Sequence, residues 1–379
     1  MRRLKANFGQ TVQNGYRVWR VIDADLLAVQ WQADLQFLVQ APTATQRSLV
    51  AQYQASGLSN VDWVAATGLE PGDIVSADPE RSEVTVLYRE SDVHHSLQLT
   101  NRCNSYCLMC SQPPTLQDDA WMVEETLDAI RHLTVSPQVL GLSGGEPLLL
   151  GPHLRTVLDS VGFQHPGTRV ELLTNGRLLA DLDQSHALLN GLSTPVTWLV
   201  PLYGHADFLH DFVVQTPGAF EQTLSGLLNL QRYSQPIQLR IVLIRPVLET
   251  LPALCTFIGR NLPFVKEVAL MACEPIGFAL ANRELCEVDL LEWQESLQQA
   301  SHQLARHSVP FLFMNAPLCA LPRALHAYAH RSISDWKKVY APACDACQMK
   351  SNCSGFFSWY ERGWKPAKVI QIMNEEYVA

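Results

Sequence analysis

The chain has 379 residues, a hydrophobic fraction of 47% and a formal net charge of −9. At ~100–200 residues per domain, that length implies about two domains, or one large α/β domain with an appendage. The acidic balance disfavours a long nucleic-acid footprint, which needs a basic stripe to release counterions. No membrane span is expected, because the most apolar stretch, IQLRIVLIRPVLETL, is broken by Arg240, Arg245 and Glu249 and a span needs ~18 apolar residues in a row.

The N-terminus, MRRLKANFGQTVQNGYR, carries basic residues with no apolar run behind them, so it does not read as a secretory signal. Without such a signal, the ten cysteines read as metal ligands or core thiols rather than disulfides, in a reducing cytoplasm.

In chain order, residues 1–94 read as a small α+β module. Segment 43–57 (TATQRSLVAQYQASG) has the pattern of a helix capped by Thr43 or Thr45. LEPGDIVSADPERSEVTVLYRE then reads as strand, turn, strand. Ile74 and Val75 lie in the first strand, Val84, Val86 and Tyr88 in the second, and Asp78-Pro79-Glu80 in the turn. Residues 95–285 change rhythm: the β-rich runs SLQLT, QVLGLS, RVELLTN, VTWLVPL, IQLRIVLI and EVALMA alternate with amphipathic segments near 119–133, 152–162, 181–190, 218–232 and 249–260. Strands alternating with helices predict βα units around a parallel sheet, closed fully or partly into a barrel. Ligands of such a sheet sit on the loops after the strands. Residues 286–379 hold one more helix, 287–306, then VPFLFMN and a cysteine-rich tail.

The first strand runs into Cys103, Cys107 and Cys110, spaced CxxxCxxC. Three thiolates are one short of the four that a [4Fe–4S] cluster normally takes, so one iron would stay open. The alternatives are a zinc knuckle or buried thiols. Zinc wants a fourth ligand, and no histidine lies between Asn104 and His132. Gly144-Gly145-Glu146-Pro147 follows the second strand. Two glycines permit close backbone approach, and a glutamate beside them is suited to an ammonium group. A plain glycine turn is the other reading.

CxxxCxxC after strand one and GGEP after strand two together resemble the radical S-adenosylmethionine (SAM) superfamily, over residues 96–275. The resemblance implies a partial (β/α)6 barrel. It also implies that the open iron binds the amino and carboxylate groups of SAM, and that one electron splits SAM into methionine and a 5′-deoxyadenosyl radical, which takes a hydrogen from the substrate. Cys103, Cys107 and Cys110 are then the catalytic cluster ligands, and Glu146 contacts the SAM amino group. Met109 occupies a position where the family usually has an aromatic near adenine, and methionine is flexible enough to fill it. Thr174-Asn175-Gly176 ends strand three as a pocket wall or a helix-capping turn. Arg240, a charge within a strand, needs a partner, for which the SAM carboxylate is one candidate.

The tail places Cys344, Cys347 and Cys353 in the spacing CxxCxxxxxC, with Cys319 upstream. Four thiolates would close a second [4Fe–4S] cluster, or a structural zinc site. Cys255, Cys273 and Cys286 have no paired spacing and read as buried thiols. Tyr203, His205, His210 and Asp211, after strand four, border a candidate pocket, although loop histidines more often cap or stay solvated. The N-terminal module is a candidate peptide edge or a structural cap.

A narrower resemblance covers nearly the whole chain. LTNRCNSYCLMCSQPP, LEPGDIVSADPERSEVTVLYRE, SISDWK and CDACQMKSNCSGFF are similar to the HxsC-type radical SAM maturases of the His-Xaa-Ser system. It implies a ribosomally made peptide substrate with His-Xaa-Ser repeats, a partner radical SAM maturase and an electron donor. Two other readings stay open: a radical SAM enzyme acting on a small molecule or modified nucleotide, and a non-catalytic Fe–S or zinc-binding partner protein. The GGEP turn argues against the second.

Overall fold

The computed structural model describes residues 2–9, 12, 17–360, 364 and 366. The N-terminal module is larger than its hairpin and helix alone predict. It contains β1 (Arg2–Lys5), β2 (Asn7–Phe8), β3 (Val18–Ile22), α1 (Ala24–Gln30), β4 (Phe37–Gln40), α2 (Ala44–Ala55), β5 (Val61–Ala65), β6 (Ile74–Asp78) and β7 (Glu83–Tyr88). Its strands form one mixed sheet in the order β1-β7-β6-β3-β4-β5-β2. Thr43 caps α2 with a full capping box, the Thr43 side chain and Gln46 exchanging bonds, which satisfies backbone donors at the helix start.

The second sheet is built from β8 (Ser96–Gln98), α3 (Trp121–His132), β9 (Val139–Ser143), α4 (Pro152–Gln164), β10 (Arg169–Leu173), α5 (Leu182–Leu189), β11 (Val196–Pro201), α6 (Asp207–Val214) and α7 (Ala219–Arg232). It continues through β12 (Ile237–Leu243), α8 (Arg245–Leu248), α9 (Leu251–Asn261), β13 (Glu267–Ala272), α10 (Phe278–Ala281), α11 (Arg283–Cys286), α12 (Gln294–Arg306) and β14 (Phe311–Met314). Its strands run in sequential order from β8 to β14 and all neighbours pair in parallel. The fold is thus α/β with an open parallel sheet, as expected, but with seven strands where the sequence shows six. The extra strand is FLFM of VPFLFMN. The sheet therefore extends past residue 285, the expected end of the barrel.

Strand register divides this sheet into two unlike faces. Leu140, Leu142, Val170, Leu172, Trp198, Leu239, Ile241, Val268 and Leu270 are all 0% exposed and join the main core under the helices. The opposite face carries Glu171, Thr197, Gln238, Arg240, Glu267 and Met271 in paired register. Of these, Glu171, Arg240, Glu267 and Met271 are only half-buried. A closed eight-stranded barrel fills its interior with branched apolar side chains. Here the inner face is polar and partly open.

The N-terminal sheet packs on α3 of the barrel: Ser76 Oγ donates to Glu125 Oε1, the Gln36 N–H donates to His132 Nε2 at 3.1 Å, and Arg17 stacks over Trp121. At the far end, β15 (Lys338–Val339) and β16 (Phe356–Phe357) form a small hairpin that holds the tail cysteines. Among the described residues, no helix is long and apolar enough to cross a membrane.

Candidate active site

The cysteine loop leaves the C-terminal end of β8 and is held from three sides. From β9, the Gly145 N–H donates to Thr100 O (2.8 Å) and the Glu146 N–H to Arg102 O (2.7 Å). From β11's exit and α6, Val214 O and Val213 O accept the N–H groups of Tyr106 and Leu108 at 3.1 and 2.9 Å. From β13's exit, the Phe278 N–H donates to Cys110 O at 2.8 Å and Asn282 Nδ2 to Leu108 O at 2.9 Å. A loop with so many backbone anchors arrives at its ligand already shaped.

The two glycines of GGEP make a close approach within the chain. A Cβ on Gly144 would lie 2.4 Å from Thr100 O, and one on Gly145 2.1 Å from Arg102 O. Their missing side chains let the β9 turn touch the backbone leading into Cys103. The close approach is to the chain itself.

Glu146 lies at the same junction. It is 0% exposed. Oε1 accepts from Leu148 N–H at 2.9 Å and from Thr174 Oγ1 at 2.5 Å, and Oε2 accepts from Asn175 N–H at 2.6 Å. Burial pushes its carboxyl up, against those hydrogen bonds. Glu146 therefore ties the β9 turn to the β10 turn. The latter is both a capping turn and a wall: Asn175 Oδ1 accepts from Arg177 N–H at 3.0 Å, while Asn175 Nδ2 donates to Asn104 Oδ1 at 2.6 Å. Arg177, which the sequence did not single out, donates from Nη1 to Asn104 O (2.5 Å) and Ser105 Oγ (2.9 Å). Pro147 opens a buried 3₁₀ turn, and Met109, 6% exposed, lies in the main core.

Burial raises the three thiols: Cys103 to about 11, Cys107 to about 12, and Cys110 also upward. The negative charge of the other cysteines adds to the rise at Cys103 and Cys107. Such thiols hold their protons until a cation displaces them. Among the described residues, no three His, Cys, Asp or Glu side chains sit as a single-ion site. Three half-buried sulfurs on one loop are a donor set that fits a cubane with one iron left open.

Tyr203 continues the inner-face row of β11, one residue beyond Leu202, whose N–H donates to Arg240 O at 3.2 Å. Burial raises its phenol well above the usual range, with Cys107, Cys110 and Cys273 adding to the rise and Arg240 opposing it. Its neighbours are structural. His210 Nδ1 accepts the Tyr203 N–H at 3.1 Å, and burial lowers His210 to about 4, so it is neutral near pH 7. Asp211 caps α7, accepting the N–H groups of Gly218 (2.6 Å) and Phe220 (2.8 Å). His205 Nδ1 is buried with no partner. Arg240 donates from Nε to Gln238 Oε1 at 3.0 Å, and Gln238 Nε2 donates to Glu267 Oε1 at 2.7 Å. Cys273 and Cys286, unpaired by spacing, lie near each other, and their Sγ atoms donate to Glu274 O at 3.7 Å and Leu108 O at 3.8 Å.

The tail gathers Cys319, Cys344, Cys347 and Cys353 around one pocket with Pro317, Tyr340 and Phe356. Cys353 Sγ accepts the N–H groups of Leu318 and Gly355, both at 3.4 Å. The pocket docks on the barrel through Lys337, paired with Glu274 at 3.1 Å, and Asp335, which accepts the Val93 and His94 N–H groups at 3.0 and 3.1 Å. None of the ten cysteines forms a disulfide.

No family model matches the chain. By sequence it is similar to an AdoMet-dependent heme synthase of Methanosarcina barkeri, 28% identical over 57% of this chain and 62% of that one. It is also similar to a probable GTP 3′,8-cyclase of Methanothermobacter marburgensis, 31% identical over 25% of this chain and 31% of that one. The chain thus spans under two thirds of either curated relative. Among solved structures, SuiB of Streptococcus suis bound to S-adenosylmethionine shares 12% identity at a TM-score of 0.46, over 58% of this chain and 50% of that one. A radical SAM methyltransferase of Sphaerobacter thermophilus shares 13% at 0.44, over 64% and 74%. Both structural likenesses are distant, and the site's chemistry rests on this chain's own residues.

Proposed function

We propose that the protein is a radical SAM enzyme whose open iron, held by Cys103, Cys107 and Cys110, binds and reductively cleaves SAM, and that its substrate is a ribosomally made peptide of the His-Xaa-Ser type. The observation that carries the class is the cysteine loop itself: three half-buried thiols on one loop at the C-terminal edge of a parallel sheet. When bound, the cluster supplies the electron that splits the SAM carbon–sulfur bond. The chain's residues supply the rest. The β9 and β10 turns fix the loop, Tyr203 and Met109 close its base to water, and the polar inner face offers room for a substrate.

The peptide assignment rests on the resemblance of the cysteine block, SISDWK and the tail to the His-Xaa-Ser maturases. The same resemblance carries the partner radical SAM maturase and the electron donor. In the tail, Cys319, Cys344, Cys347 and Cys353 are assigned to a second [4Fe–4S] cluster; four thiolates leave it no vacancy for SAM. A second reading, a small-molecule or nucleotide substrate, draws on the polar inner face and on the named relatives, a heme synthase and a GTP cyclase.

The test is anaerobic incubation of reduced enzyme, SAM and a His-Xaa-Ser peptide. The proposal expects 5′-deoxyadenosine and a shifted peptide mass. The nucleoside without a mass shift refutes the peptide substrate and keeps the class.

A further inference from the structure

Arg240 is a half-buried cation with no ion pair among the described residues. It sits in the middle of β12, facing the sheet's inner side beside Pro201 and Ala269. Only its Nε is occupied, by Gln238 Oε1 at 3.0 Å. Among the described residues, no hydrogen bond engages its Nη groups and no carboxylate lies in ion-pair range of it. Glu171, on the same face, attracts it from farther off. Gln238 accepts from Arg240 and donates to Glu267, so it holds the guanidinium in place. Beside Arg240, the Tyr203 hydroxyl has no hydrogen-bond partner among the described residues. A guanidinium partly withdrawn from water gains from an anion beside it, and a fork of two Nη groups matches a carboxylate.

We propose that Arg240 and Tyr203 form a substrate subsite that takes a carboxylate, such as a peptide C-terminus or an acidic side chain. This deepens the reading of the chain as a radical SAM enzyme and rests on it. In that reading the amino and carboxylate groups of SAM are taken by the iron on the loop at the sheet's edge. Arg240 lies below that edge, on the inner face, so its free donors serve the other ligand. Glu171 is the charge that attracts Arg240 while the subsite is empty and that competes with an incoming carboxylate. This makes an unusual sign prediction: removing an acid should tighten the binding of an acid.

The experiment uses the reconstituted, SAM-loaded protein titrated with N-acetylglycine and its neutral analogue N-acetylglycinamide. The proposal expects the carboxylate to bind about ten-fold tighter than the amide, as a charge-assisted bidentate pair should. Arg240→Gln abolishes that preference, Arg240→Lys keeps part of it, Tyr203→Phe weakens it a few-fold, and Glu171→Gln strengthens it. Equal binding of the two probes, no binding of either, or a preference that survives Arg240→Gln overturns the subsite. So does an Arg240→Gln protein that loses SAM affinity while keeping the preference, since that assigns Arg240 to SAM. Iron content and circular dichroism identify a misfolded variant, and Arg240→Lys and Glu171→Gln then decide. If the class reading itself is wrong, the wild-type protein shows it separately by failing to cleave SAM.

Discussion

The molecule gathers cysteines in two places, and the two are built differently. The loop after β8 holds three thiols at an edge of the sheet, with backbone anchors from β9, α6 and the exit of β13. The tail holds four thiols around a pocket of its own, closed by a two-stranded hairpin and apolar neighbours such as Phe356 and Met349. On the proposed reading the first set leaves one iron open, while the second supplies four sulfurs to its own site. The contrast teaches that the number of sulfurs gathered in one place sets whether a bound cluster keeps a position for a ligand.

The sharpest way to break this comparison is to remove one sulfur from each place. Cys107→Ala is expected to abolish 5′-deoxyadenosine formation, whereas Cys344→Ala with Cys347→Ala should remove about half the iron and leave SAM cleavage measurable. Iron, sulfide and zinc counting beside the nucleoside assay checks this. If the tail variant loses all its iron, the two sites are not independent.

A next pair of variants acts through backbone contacts. Gly145→Ala would drive a Cβ to 2.1 Å from Arg102 O, and Gly355→Ala one to 2.7 Å from Val339 O, at a φ of +72°. Each should cost ~1–3 kcal/mol by overpacking. The first should lower the iron held by the loop, the second that held by the tail. Thermal unfolding with site-selective iron counts in the two cysteine backgrounds measures both.

His210 provides a pH test of the α6 side of the loop. Its pKa falls from 6.5 to about 4 by burial. A depressed histidine contributes stability that is present above pH 6.5 and is lost as the pH falls toward 4. The loss is about 3 kcal/mol at one pKa unit per 1.36 kcal/mol. His210→Gln should flatten the stability–pH curve in that window; an unchanged curve would show that the imidazole is not the group responsible. Glu146→Gln, which puts an amide N–H against the Leu148 or Asn175 donor, should cost ~1–3 kcal/mol. The smallest effect expected is that of Lys337→Ala, at the tail's docking on Glu274, at under ~1 kcal/mol for a partly exposed ion pair.

Much of this was legible in the sequence. The helices near 119–133, 152–162, 181–190, 218–232 and 249–260 appear at Trp121–His132, Pro152–Gln164, Leu182–Leu189, Ala219–Arg232 and Leu251–Asn261, because apolar periodicity and flanking turn residues agree there. FLFM was not legible as the seventh strand: four apolar residues carry no period. The inner-face row Glu171, Gln238, Arg240 and Glu267 became visible only through strand pairing, since register decides which side chains share a face. Cys273 and Cys286 meet through the path of α10 and α11, which no spacing rule encodes. That Gly144, Gly145 and Glu146 also join the turns around the cysteine loop was not legible, because a motif names residue types and not the surfaces they meet.

The most direct test of the central claim is SAM cleavage by the anaerobically reconstituted, reduced protein, followed as 5′-deoxyadenosine. The account predicts the nucleoside from the wild-type protein and from the Cys344→Ala, Cys347→Ala variant, and none from Cys107→Ala. A wild-type protein that carries its full iron and never cleaves SAM, or a Cys107→Ala protein that still does, would contradict it.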